Sequence, residues 1–100
     1  MLVLVFKRRI YGNGQISIPK KLQKELNIIN GDNLFIYLVN NSIIIQTTHH
    51  NKTLNQCYFS GGRLSIPMEI RRILNITDKT PLVMDITDDK QKIHINICEK

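Results

Sequence analysis

The chain has 100 residues, 42% hydrophobic and 22% charged, a composition that suits one globular domain rather than a disordered chain. Its formal net charge of +6 asks for a polyanionic partner. Cys57 and Cys98 stand without CxxC or Cys/His ligand spacing, which argues against structural zinc and suits free thiols in a reducing compartment.

Residues 1–6 are apolar but too short to span a bilayer. Their charges follow rather than precede them, and no small-residue cleavage site comes next, so a signal peptide is not expected. A buried strand over residues 2–10 and a soluble cytoplasmic protein are the reading. Tyr11-Gly12-Asn13-Gly14 is a turn. Residues 15–18 form a short strand in which Ile16 and Ile18 share a face. Pro19 suits the first position of a helix over residues 20–26, with Leu22 and Leu26 inward at i, i+4. Asn27 is placed to end that helix in the left-handed conformation, with Ile28 folding back. After Gly31-Asp32, Leu34, Ile36 and Leu38 line one face of a strand. Asn40-Asn41 turns it into a return strand at residues 43–45.

Residues 47–53 are polar and read as a linker, in which His49 and His50 are expected to be solvated rather than metal-bound. The same order then recurs. A strand at 54–59, a turn at Ser60-Gly61-Gly62, a short strand at 63–66 and a helix at 67–74 with Ile70 and Leu74 inward come first. A hairpin of 82–86 and 93–97, turning at Asp88-Asp89-Lys90, follows. The three aspartates Asp85, Asp88 and Asp89 read as turn residues rather than a cation site.

The recurrence is visible residue by residue. Gly14-Gln15-Ile16-Ser17-Ile18-Pro19 returns as Gly62-Arg63-Leu64-Ser65-Ile66-Pro67, and seven of the fifteen positions from Gly14 to Ile28 are identical to those 48 residues on. Two copies are too few for a solenoid and predict one body with internal pseudo-twofold symmetry. The expected organisation is repeat one over 1–47, linker 48–53 and repeat two over 54–100, sharing one core. In this alignment Tyr11 and Phe59 match, and both are expected in the core. A gap of about two residues in the last hairpin turn keeps the copies in register.

Gly-(Arg)-x-x-Ile-Pro, a two-turn helix with basic residues in its middle, Leu-(Gly/Asn)-Ile and then Gly-Asp before a strand resembles the AbrB/SpoVT/MazE family of swapped-hairpin DNA-binding domains. The resemblance covers nearly the whole chain, twice. It implies a mainly β fold with two short helices, in which both units interleave their hairpins into one β-barrel, here as an intramolecular pseudo-dimer. A further pairing of two such chains is left open. It also implies a DNA-facing surface. The family's strand arginine falls on Arg8 and Gln56, its post-glycine arginine on Gln15 and Arg63, and its helix pair on Gln23-Lys24 and Arg71-Arg72. The second copy has Lys79-Thr80-Pro81 in place of the Gly-Asp turn.

Charge agrees with that surface. Residues 7–24 carry Lys7, Arg8, Arg9, Lys20, Lys21 and Lys24 and no acid, the alternative being a plain solvated face. Arginine forks suit guanine or phosphate, and lysines suit phosphate. No phosphate-binding glycine loop, nucleophile signature or apolar carboxylate pair is present, so neither an enzyme nor a cofactor is expected. The leading expectation is a sequence-preferring binder of double-stranded DNA that regulates transcription, most simply as a repressor. An antitoxin-like interaction module ranks second, because no tail follows the last strand. A structural or RNA-binding barrel ranks third.

Overall fold

Short β-branched runs, each cut off by Gly, Asn or Pro, leave the chain little choice but strands of three to seven residues. The computed structural model describes residues 5–51 and 53–98. Their elements are β1 (Val5–Arg8), β2 (Gln15–Ser17), α1 (Lys20–Leu26), β3 (Asn33–Val39), β4 (Ser42–Gln46), β5 (Gln56–Tyr58), β6 (Arg63–Ser65), α2 (Met68–Leu74), β7 (Leu82–Ile86) and β8 (Lys92–Ile97). Leu2, Val3 and Leu4 of the expected first strand, and Lys52 of the expected linker, lie outside the described residues.

The larger sheet is antiparallel with strand order β1-β7-β8-β4-β3-β5, and β2 pairs with β6 in a separate ribbon. Exchanging the two halves of the chain returns the same strand order reversed, which is a twofold arrangement. Its axis runs between Ile16 and Leu64, the central pair of the ribbon, and between Ile44 and His94 in the sheet, where it exchanges the flanking pairs Ile43–Ile95 and Ile45–Ile93. β1 is bound to β7 of the other half, and β5 to β3 of the other half. Among the described residues the hydrogen-bonded ladder stays open between β1 and β5. One apolar cluster fills the interior instead, drawing Ile16 and Leu64 from the ribbon, Leu22 and Ile70 from the helices, and Ile36, Ile43, Met84 and Ile93 from the sheet. The fold is therefore the mainly β, two-helix architecture expected, with the ribbon and helices packed on the sheet.

Each helix has only seven residues and leans on that core. Burying a side chain such as Leu22 contributes about 1.5–3 kcal/mol, enough to offset a helix this short. Pro19 and Pro67 stand at the N-caps rather than at the first helical positions. Their ψ values of 143° and 141° are extended, and each carbonyl opens the intrahelical ladder. Both helices end on a left-handed asparagine. Ile28 N–H donates to the Gln23 carbonyl and Ile76 N–H to the Arg71 carbonyl, so each end closes as a Schellman motif.

Two local differences separate the halves. The Tyr11–Gly14 turn has one residue more between its strands than Gly61-Gly62, so Ile10, not Tyr11, corresponds to Phe59. Ile10 is 5% exposed and Phe59 0%, whereas Tyr11 is 43% exposed, which corrects its expected place in the core. The second difference is smaller than the residues suggest. Ile29 N–H donates to Asp32 Oδ2 and Asp32 N–H to the Ile29 carbonyl. At the matched positions Thr77 N–H donates to Thr80 Oγ1 and Thr80 N–H to the Thr77 carbonyl. Thr80 thus rebuilds the Gly-Asp turn. Pro81, lacking an N–H, stands where Asn33 extends the β3–β5 ladder, and the β1–β7 ladder stops one pair earlier, at Arg8 and Leu82. His49 is half-buried rather than solvated, edge-on to Tyr37 with ring centroids 5.4 Å apart and stacked on His50 at 4.7 Å.

Candidate nucleic-acid interface

Alternation along a strand sends Ile16 and Leu64 into the core and leaves Gln15, Ser17, Arg63 and Ser65 on the outer face of the ribbon. Gln15 sits opposite Ser65 and Ser17 opposite Arg63. The ribbon is extended at both ends by Ile18 N–H to the Gly62 carbonyl (2.9 Å) and Ile66 N–H to the Gly14 carbonyl (3.0 Å). These bonds lock each half's glycine turn to the other half's strand. The result is a narrow two-stranded platform with polar groups outward, of a size that a DNA major groove about 12 Å wide admits.

The arginines of the second half converge on the turn of the first. Arg63 Cζ lies 4.4 Å from the centroid of the Tyr11 ring. Arg71 Nε donates to the Ile66 carbonyl at 2.9 Å, and its guanidinium lies against Gly14. A methyl group on Gly14 would meet Arg71 Cζ at 2.6 Å and push the guanidinium aside, and φ there is +87°, a conformation that favours glycine. The matched contact in the other half is neutral: Gln23 Nε2 donates to the Ile18 carbonyl at 2.7 Å and sits 3.7 Å from where a Gly62 Cβ would be. Gln23 and Arg71 are therefore partly buried braces between helix and ribbon, which sequence reasoning had placed simply as DNA-facing.

The remaining expected residues lie on three elements. Lys20, Lys21 and Lys24 are exposed on α1, and Arg72 is exposed on α2. Lys7, Arg8 and Arg9 are on or just after β1, at the edge of the sheet. Arg8 is turned back along its own strand, donating to the Lys7 carbonyl and lying 5.8 Å from the Phe6 ring centroid. Counted by sheet register, Arg8 opposite Leu82 corresponds to buried Cys57 opposite Leu34, one residue from Gln56. The longer first turn causes this offset. Tyr11 is the surface residue that the sequence reading missed. No local pattern signalled it, because Gly12-Asn13-Gly14 aligns without a gap on Ser60-Gly61-Gly62 and the extra turn residue shows only in the sheet register.

Glu25 pairs with Lys90 at 3.4 Å, and the ribbon strands themselves, Gln15–Ser17 and Arg63–Ser65, contain no acidic residue. The charged group on the ribbon's outer face is thus the Arg63 guanidinium, while the flanking helices carry both signs, with Lys20, Lys21, Lys24 and Arg72 exposed beside Glu25 and Glu69. Among the described residues no helix is long and apolar enough to cross a membrane.

Comparison with known proteins agrees with this geometry for the first half. A family model described as "Antidote-toxin recognition MazE, bacterial antitoxin" matches residues 7–53, which run from β1 to the linker after β4. No curated protein matches the chain. Among solved structures, the chain is similar to the solution structure of PHS018 from Pyrococcus horikoshii, with a TM-score of 0.54 and 19% identity. The match covers 98% of this chain and 92% of that one. At that identity the likeness extends to the fold alone. Residues 7–53 are thus similar to the MazE family in sequence, and the whole chain shares its mainly β architecture with a known structure.

Proposed function

We propose that the chain is a sequence-preferring, double-stranded DNA-binding regulator of transcription, acting in the cytoplasm as a repressor that occludes its site. In this reading the second half is a second copy of the unit matched over residues 7–53, so one chain supplies both halves of a pseudo-dimer. The observation that carries it is the outward face of the β2–β6 ribbon, with Gln15 and Arg63 on it and exposed Lys20, Lys21, Lys24 and Arg72 on the helices that follow each strand. Ribbon side chains meet base edges in the major groove; helix cations contact phosphate on either side. The chain performs no catalysis and takes no cofactor in this account.

The test is selection of bound duplexes from a randomised pool, with duplex RNA of random sequence as competitor. A recurring DNA motif supports the proposal. Equal retention of RNA and DNA, or no enrichment over successive rounds, refutes it. A second reading is an antitoxin-like interaction module, favoured by the description of the matched family as recognising a toxin. It predicts a stoichiometric protein complex in co-expression with a neighbouring toxin gene.

A further inference from the structure

The two ends of the ribbon are not equivalent, and the difference is chemical. Arg63 and Gln15 occupy matched positions, each opposite a serine, and both project from the same face. Arg63 is laid over the Tyr11 ring, which belongs to the other half. Gln15 is held instead by its own turn. Asn13 Nδ2 donates to Gln15 Oε1 at 3.3 Å, and Asn13 Oδ1 accepts from the Gln15 backbone N–H at 3.1 Å. Tyr11 exists at the surface only because the first turn is one residue longer. In the shorter second turn Ser60, bonded back to Arg63, follows core residue Phe59 directly, and no aromatic ring is offered to Gln15.

We infer that the ribbon carries two different base readers, Arg63 for guanine and Gln15 for adenine, with Tyr11 positioning the Arg63 fork. The inference rests on the DNA-binding reading above and adds the site's base composition to it. A guanidinium stacked on an aromatic face keeps its N–H edge free in the plane of stacking, and a pair of parallel donors matches guanine O6 and N7. Glutamine offers one donor and one acceptor, which match adenine N7 and N6. The Gln15 oxygen has a second lone pair beyond the one Asn13 uses, so both of its groups remain able to contact a base. Tyr11 touches Arg63 rather than DNA and is a positioning residue. The preferred site is then a broken palindrome, guanine on one side of the centre and adenine at the matched place on the other.

The experiment selects duplexes from a randomised pool with the unaltered chain and with Gln15→Arg, Arg63→Gln, Tyr11→Leu and Tyr11→Phe. Base preference is then counted at every position. Gln15→Arg should convert the adenine position to guanine and make the site palindromic, and Arg63→Gln should do the converse. Each exchange moves preference about five-fold or more, the lower end of what one bidentate base contact discriminates. Tyr11→Leu should lower the guanine preference about two- to five-fold, the worth of an exposed cation–π contact, without touching the adenine position. Tyr11→Phe keeps the ring and should keep the preference. A purely structural Tyr11 would weaken both positions together, and that result overturns the inference. So does a Gln15→Arg chain whose selected site is unchanged. A chain that selects no duplex at all refutes instead the DNA-binding proposal on which the inference stands.

Discussion

Gly14 and Arg71 form one unit although they belong to different halves. Any side chain at Gly14 must adopt φ +87° and displace the guanidinium, which then loses its bond to the Ile66 carbonyl. Gly14→Ala should therefore cost about 1–2 kcal/mol for the left-handed backbone, plus about 1 kcal/mol for the broken bond. Gly62→Ala, with φ +77° and only a 3.7 Å contact, should cost the backbone part alone. A double-mutant cycle of Gly14→Ala with Arg71→Ala, read by urea unfolding, should return a coupling near about 1 kcal/mol. Additive losses would show that Arg71 is no brace. Cys57 allows a second test at this scale. It is 7% exposed, its Sγ lies 3.6 Å from the Leu34 carbonyl, and burial pushes its thiol up from 9.0 to about 12. The unfolded chain loses that proton near its ordinary value and the folded chain keeps it, so ν_N exceeds ν_U between the two. Stability is full below about pH 9 and falls as pH rises toward 12, by at most about 1.4 kcal/mol per pH unit. Comparing the urea midpoint with that of Cys57→Ala across this range isolates the contribution, and the difference should shrink as pH rises. In the native chain an alkylating reagent should modify half-buried Cys98 well before Cys57.

The helices depend on their ends more than on their interiors. Asn27 and Asn75 have φ of 57° and 56°, values that most side chains resist. Replacing either by alanine should cost about 1 kcal/mol, and replacing it by glycine close to nothing. A thermal melt of the four variants checks this, and equal losses for alanine and glycine would reject the capping account. These ends were legible in the sequence because Leu-Asn-Ile has a mechanism attached to it. The strands were legible too, through the spacing of Ile36, Ile43, Ile45, Ile93 and Ile95. What could not be read was the length of a turn. Residue identity aligned Tyr11 with Phe59, both aromatic, while the sheet register aligned Ile10 with Phe59 and put Tyr11 outside. A one-residue slip at a glycine turn costs little in sequence similarity and reverses which residue is buried. The turn at Thr77–Thr80 hid itself in the opposite way. No residue of it matches Ile29–Asp32 position by position, yet a threonine hydroxyl replaces the carboxylate oxygen as acceptor. The interface was legible in part. The lysines of α1 lie exposed as a charge count suggests, but the bracing roles of Gln23 and Arg71 depend on contacts across the twofold that no local pattern contains.

At the scale of the molecule, the sheet order mixes the halves so thoroughly that neither β1 nor β5 has a partner in its own half. The urea midpoint of the full chain should then be independent of protein concentration, and sedimentation at low concentration should show a folded particle of monomer mass. A midpoint that climbs with concentration would place the closure between chains. DNA affinity should fall steeply with salt. If about six phosphates are contacted, log K against log salt has a slope near −5, and Lys24→Ala reduces it by about one. A flat response would remove the phosphate contacts from the account. The crossed pairing of β1 with β7 and β5 with β3 also sets how such a reader answers to its own abundance. A reader assembled from two separate chains must first find its twin, so at low copy number its site fills with the square of the amount present. On the reading proposed above the twin is already attached, and the ratio of filled to empty sites should rise in simple proportion: doubling the protein should double the ratio, without a threshold.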